Sequence, residues 1–136
     1  MKTTLITLTL MLASFAGMSQ KPEYYQAMGE CLGQYANCRS VEDFQALGNR
    51  FGMIAGTEKN EWLPLYYHAH CYIIMSFMEP SDAKKKDAYL DEAEKSVTRL
   101  VEMMPGEADV FALQAMLYTG RLVVNPMERG QQYSML

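Results

Sequence analysis

Residues 62–78 read WLPLYYHAHCYIIMSFM, and between Pro64 and Met78 only His68, His70 and Ser76 are clearly polar. At helical spacing one apolar line runs through Trp62, Leu65, Tyr66, Ala69, Ile73 and Phe77. A second runs through Leu63, Tyr67, Cys71, Ile74 and Met78. A helix apolar on two sides is stable in water only when both are covered. The stretch predicts a central helix between two neighbours. Asn60 is its expected cap, and Pro64 lies in the first turn, where a missing N–H costs little. Glu79-Pro80-Ser81 is its expected end.

The flanking sequence supplies the neighbours. Upstream, Ser40 with Asp43 three residues on forms a weak capping box for a helix carrying Val41, Phe44, Leu47, Phe51 and Ile54, with Gly56 as its stop. Gly48 and Gly52 inside that helix cost propensity, and they mark close approach by a neighbour. Before it, Pro22 opens a helix whose expected face is Tyr25, Met28, Leu32 and Tyr35. Downstream, Ser81 caps a helix from about Asp82 to Met104. Its stripe is Leu90, Ala93, Val97, Leu100, Val101 and Met104, opposite a charged, solvated face. A fifth helix runs from about Glu107 to Val124, with Val110, Phe111, Leu113, Ala115, Leu117, Tyr118 and Leu122 apolar. Asn125-Pro126 then opens a sixth. No run of alternating β-branched residues occurs, so the fold class is all-α, in antiparallel pairs joined by short turns.

The first residues stand apart from this core. Lys2, the apolar run Leu5–Ala16 and the small residues Gly17 and Ser19 form a secretory signal peptide over residues 1–19, with cleavage expected after Ser19. The mature domain, residues 20–136, is then exported to the periplasm or secreted, with no membrane span of its own. Removing Lys2 takes the formal charge from −4 to −5, which argues against nucleic acid as a partner. The basic run Lys84-Lys85-Lys86 opens an acidic helix and reads as solvated surface. Cys31 and Cys38 lie two helical turns apart, about 10 Å along an axis and beyond disulfide reach unless the helix ends between them. Pairing of either with Cys71 stays open beside the preferred reading of three buried small side chains.

Helix pairs in tandem prompt a search for repeats. Leu90–Phe111, LDEAEKSVTRLVEMMPGEADVF, resembles the second helix of a tetratricopeptide repeat (TPR) and its junction to the next. Ala93, Val97, Leu100 and Pro105 sit at the family's small, aromatic, small and proline positions. Phe111, Gln114, Ala115 and Tyr118 follow its W-x-x-L-G-x-x-Y pattern, with Gln114 the misfit. Trp62, Leu65, Tyr66 and Ala69 match the same helix, as do Tyr25, Met28, Gly29 and Leu32. The spacings are 37 and 49 residues, against about 34 in a regular array. The chain is also similar to exported bacterial TPR proteins with an E-W-L-P motif followed by tyrosines, here Glu61–Tyr67. In these a D/N-P-M-x-R-G motif, here Asn125–Gly130, opens a further helix.

The resemblance implies a TPR-like α-solenoid segment of about two and a half repeats, the last incomplete, with its capping element missing. It implies a non-catalytic module that binds another protein or peptide. By the family's positions, the groove would be lined by Tyr67, His70 and Cys71 of the central helix and by Met116 and Thr119 of the fifth. An uncapped last pair would expose Leu117, Leu122, Tyr133 and Leu136 and favour self-association. The alternative is a structural repeat segment of a larger envelope protein.

Catalytic and metal chemistry find little support. His68 and His70, two apart on a helix, point about 200° from each other and cannot share one metal. A periplasmic metal site built from His68, Cys71 and the methionines is the remotest reading. Met75, Met78, Met103 and Met104 fall on helical apolar faces and read as core filling. A Ser-His-Asp or Cys-His arrangement would need a histidine outside the core helix. The acids Asp91, Glu92 and Glu94 lie on a solvated face, and no phosphate loop or nucleotide fingerprint occurs. No cofactor is expected.

Overall fold

The computed structural model describes residues 21–133. The expected signal peptide and Leu136 lie outside the described residues. Six helices follow one another, with no strand among the described residues. They are α1 (Pro22–Tyr35), α2 (Val41–Thr57), α3 (Leu63–Met78), α4 (Ala83–Met103), α5 (Ala108–Val124) and α6 (Pro126–Tyr133). None is long and apolar enough to cross a membrane.

Local chemistry sets most ends. Ser40 accepts from the Asp43 N–H while Asp43 accepts from the Ser40 N–H, so the capping box of α2 is complete. Asp82, not Ser81, caps α4 by accepting from Lys85 N. α3 starts without a side-chain cap: Trp62 takes the N-cap position, and Asn60 lies in the preceding turn. Pro64 falls in the first turn, as the spacing predicts. Glu79, the residue before Pro80, is extended and ends the helix.

Successive helices run antiparallel, as the contacts across each pair show. Tyr35 at the end of α1 meets Phe44 at the start of α2, their ring centroids 5.8 Å apart. Lys21, ahead of α1, pairs with Glu58 at the far end of α2. Gly48 lies against Tyr72 and Gly52 against His68, so α2 and α3 run in opposite directions. His68–Ser96 and Leu90–Gly120 contacts fix the next two pairs in the same sense. Neighbours in sequence are neighbours in space, and α3 also touches α5, which are the relations of a helical stack.

α3 is the central element, as its sequence predicts. Leu65, Ala69, Cys71, Ile73 and Met75 are buried along it, and α2 and α4 cover it from two sides. Its last turn departs from expectation. Phe77 and Met78 are exposed because burial turns instead to Tyr72 and Ser76, which face α2 and α5. In α1 the buried residues are Tyr24, Met28 and Cys31, while Tyr25 is 60% exposed. The predicted face is rotated by about one residue there. Of the residues expected at an uncovered end, Leu117 is buried against the core and Leu122 and Tyr133 are half-buried. The large apolar side chains that α5 does leave in solvent are Phe111 and Val123.

The three positions aligned with the repeat tryptophan do not share one environment. Tyr25 and Phe111 are exposed, and Trp62 is a half-buried N-cap. Ala93, at the family's small position, is fully buried, whereas Gly29, Tyr66 and Ala115, at the glycine position of the first helix, are exposed, half-buried and exposed.

Candidate functional site

The residues expected to line a groove do not share one environment. Tyr67 stacks on Phe51 of α2 at 5.2 Å between centroids and meets the Tyr35 ring edge-on at 5.4 Å. It is half-buried packing between α1, α2 and α3. His70 shares the Tyr35 contact, its Nδ1 2.5 Å from the Tyr35 hydroxyl. Cys71 is fully buried, its Cβ lying where a Cβ on Gly48 would come within 3.2 Å, so it cannot reach a partner. Burial pushes its thiol up to about 12. Met116 is half-buried against the core. Thr119 is exposed, and its hydroxyl donates to the Ala115 carbonyl of its own helix. It lines a separate hollow of about 350 Å³ with Phe111, Tyr118 and Tyr133.

Cys31, Cys38 and Cys71 are all buried free thiols, the small core side chains preferred from the sequence. Among the described residues no three His, Cys, Asp or Glu side chains come together in a way that would hold a metal ion.

A larger cleft lies elsewhere, between α2 and α4 over the other face of α3. It measures about 550 Å³, within the range of ligand pockets. The sequence builds it through glycine. Gly52 and Gly56 stand one turn apart on the wall that α2 presents. A Cβ at Gly52 would come within 3.0 Å of the His68 ring, whereas one at Gly56 would meet open space. His68 and Tyr72 form the floor, with Leu65 beside them. Ser96, Glu92, Lys95 and Arg99 are the wall from α4.

Hydrogen bonds hold this floor in place. His68 Nδ1 and Ser96 Oγ are 2.8 Å apart, and burial holds the imidazole below its ordinary pKa, hence neutral near pH 7. Tyr72 donates to Asn49 Oδ1 at 2.9 Å, and Gln45 Nε2 donates to the Tyr72 hydroxyl at 2.6 Å. Glu92 is paired with Lys95 on its own helix.

Ser96, His68 and Glu92 invite comparison with a nucleophile, base and orienting acid, but the geometry is unsuited to that work. Glu92 Oε1 is 3.8 Å from His68 Nε2, beyond hydrogen-bond reach. Ser96 is 5% exposed and lies inside α4, where backbone N–H groups are engaged in the helix rather than aimed at an oxyanion. The cluster can position and hydrogen-bond a ligand.

Sequence reasoning missed Ser96, Asn49 and Arg99. The available signals were Ser96 interrupting the buried run Ala93–Val97–Leu100, and the glycines recurring every fourth residue at 48, 52 and 56. Asp91 and Glu94 are exposed, as the solvated face predicts, but sequence reasoning did not foresee that both bond the buried guanidinium of Arg121 of α5, at 2.5 and 2.7 Å.

No protein-family model, curated protein or solved structure matches the chain.

Proposed function

We propose that the protein is an exported, TPR-like helical module that binds a peptide segment of another protein and performs no catalysis. The observation that carries this reading is the open cleft of about 550 Å³ between α2 and α4, floored by residues of the central helix. Its floor is rigid because His68 and Tyr72 are each tied to a neighbouring helix, so little ordering is required when a ligand arrives. Its lining mixes apolar groups (Leu65, Ala55, Met53) with hydrogen-bonding ones, as recognition of a peptide requires. The partner surface proposed here replaces the one expected around Tyr67 and His70.

Gly56→Leu tests it. The position is helical and open, so the new side chain fills the cleft without disturbing the core. Short random peptides selected on the purified full-length protein should lose binding to the variant while its melting temperature holds. Peptides that bind both proteins equally would place recognition elsewhere.

A second reading, a structural segment in a larger assembly, has its own observation. Phe111, 52% exposed, borders the hollow between α5 and α6, an apolar surface suited to further packing.

A further inference from the structure

Of the arginines among the described residues, Arg99 alone makes no hydrogen bond or ion pair. Arg39 bonds backbone carbonyls, Arg50 bonds Gln34 and Glu30, Arg121 holds three carboxylates, and Arg129 holds Asp87. Acids outnumber bases in this chain, 16 to 12. Arg99 also lines the α2–α4 cleft.

The other charges of that cleft are spoken for. Glu92 is neutralised by Lys95, one turn back from Arg99 on α4. His68 is buried and hydrogen-bonded to Ser96. Arg99 is left as the uncompensated charge of the lining. A second donor faces no partner: Asn49 uses Oδ1 for Tyr72 and Gln45, while its Nδ2 makes no hydrogen bond among the described residues. Beside these lie apolar groups, with Met53 67% exposed at the rim and Leu65 and Ala55 deeper.

The geometry points to a partner segment carrying an Asp or Glu side chain next to an apolar residue, its carboxylate received by Arg99 in the α2–α4 cleft. A guanidinium offers parallel N–H donors that match a carboxylate, and such charge-assisted bonds are stronger than neutral ones. The apolar neighbour would cover Met53 and Leu65, removing water from around the ion pair. This inference rests on the peptide-binding reading above and specifies its ligand.

The test uses short random peptides selected on the purified full-length protein. The tightest peptide whose binding Gly56→Leu abolishes is resynthesised with each Asp or Glu changed to Asn or Gln, and once with an amidated C-terminus. Loss of one side-chain carboxylate should weaken binding at least about tenfold. Arg99→Gln should weaken the parent peptide similarly yet leave the neutral peptide unaffected, since the two changes remove the same bond. Arg99 is exposed and unbonded, so this variant keeps its fold. Peptides selected without acids, an unchanged Kd in Arg99→Gln, or a loss caused only by amidation would each overturn the inference, leaving peptide binding itself intact. Failure of every peptide to bind would overturn both.

Discussion

Arg129 of α6 and Asp87 of α4 meet through two parallel bonds, Nη1 to Oδ1 at 2.7 Å and Nη2 to Oδ2 at 2.8 Å. The fork matters because α6 buries no side chain of its own, and Met127 on it is 95% exposed. Asp87 also receives Arg121 at 3.3 Å, so one carboxylate joins α4, α5 and α6. Its hydrogen bonds with Arg129 hold its pKa below the ordinary value. Asp87→Asn should therefore release α6 while sparing the rest of the stack, at a cost of about 1–2 kcal/mol for the docking of that helix. Hydrogen exchange should speed up at the amides of α6 and stay unchanged in α2 and α3. Equal protection of α6 in both proteins would show that its hold lies elsewhere.

Two glycines of α2 should respond oppositely to the same substitution. A Cβ at Gly48 would stand 3.2 Å from the Cys71 Cβ and 3.1 Å from the Tyr72 ring. The Cys71 Cβ is fixed to its backbone and cannot give way without moving α3. Gly56→Ala meets nothing and should gain up to about 1 kcal/mol in helix propensity. Gly48→Ala should lose about 1–2 kcal/mol despite the same propensity gain. Urea unfolding of the two variants measures both signs; a stabilised Gly48→Ala would contradict the close approach of α2 and α3.

Those glycines also show what one sequence can reveal. Gly48 and Gly52 were legible as contact points because glycine inside an otherwise apolar helix is costly without a neighbour to justify it. The α2 capping box and the two-sided burial of α3 were legible for similar reasons, since both are encoded within a few residues. The face of α1 was not. Tyr24 and Tyr25, and Cys31 and Leu32, are adjacent apolar pairs, so two registers one residue apart satisfy the same periodicity. Arg121 was missed because nothing in α5 alone shows that Gly120 lets the helix close on Leu90, so tightly that a Cβ at Gly120 would stand 2.7 Å from a Leu90 methyl carbon. That approach carries Arg121 to the acids of α4. The cleft was missed likewise, since Asn49, His68 and Ser96 come from three helices and meet only when the helices are packed.

Tyr67 separates the expected groove from the observed packing. On the surface, Tyr67→Ala would weaken partner binding and leave stability alone. Stacked on Phe51 and edge-on to Tyr35, the ring instead supports two helices at once. Its loss should cost about 2–3 kcal/mol, somewhat below a fully buried aromatic because Tyr67 is half-buried. Thermal melting checks this, and a variant melting with the parent protein would return Tyr67 to the surface.

Acid should loosen the stack in two stages, and the first belongs to the histidines. Burial holds both His68 and His70 below the ordinary value of 6.5. Below that value the unfolded imidazoles take up protons that the folded ones refuse, so the unfolded state is favoured as pH falls. Stability is thus full above about pH 6.5 and declines below it, by at most about 1.4 kcal/mol per pH unit for each histidine. Asp43, Asp87 and Glu79 are shifted the other way relative to their charge: hydrogen bonds hold their carboxyls low. Their contribution is complete above the ordinary carboxylate range and is lost only as pH drops below about 4. Urea midpoints at constant ionic strength should therefore fall between about pH 6.5 and 5, ahead of any carboxylate effect. His70→Gln keeps a hydrogen-bonding group for the Tyr35 hydroxyl and removes one imidazole, so it should reduce that early slope. A midpoint flat from neutral pH down to about 5 would mean that neither imidazole resists its proton in the folded chain.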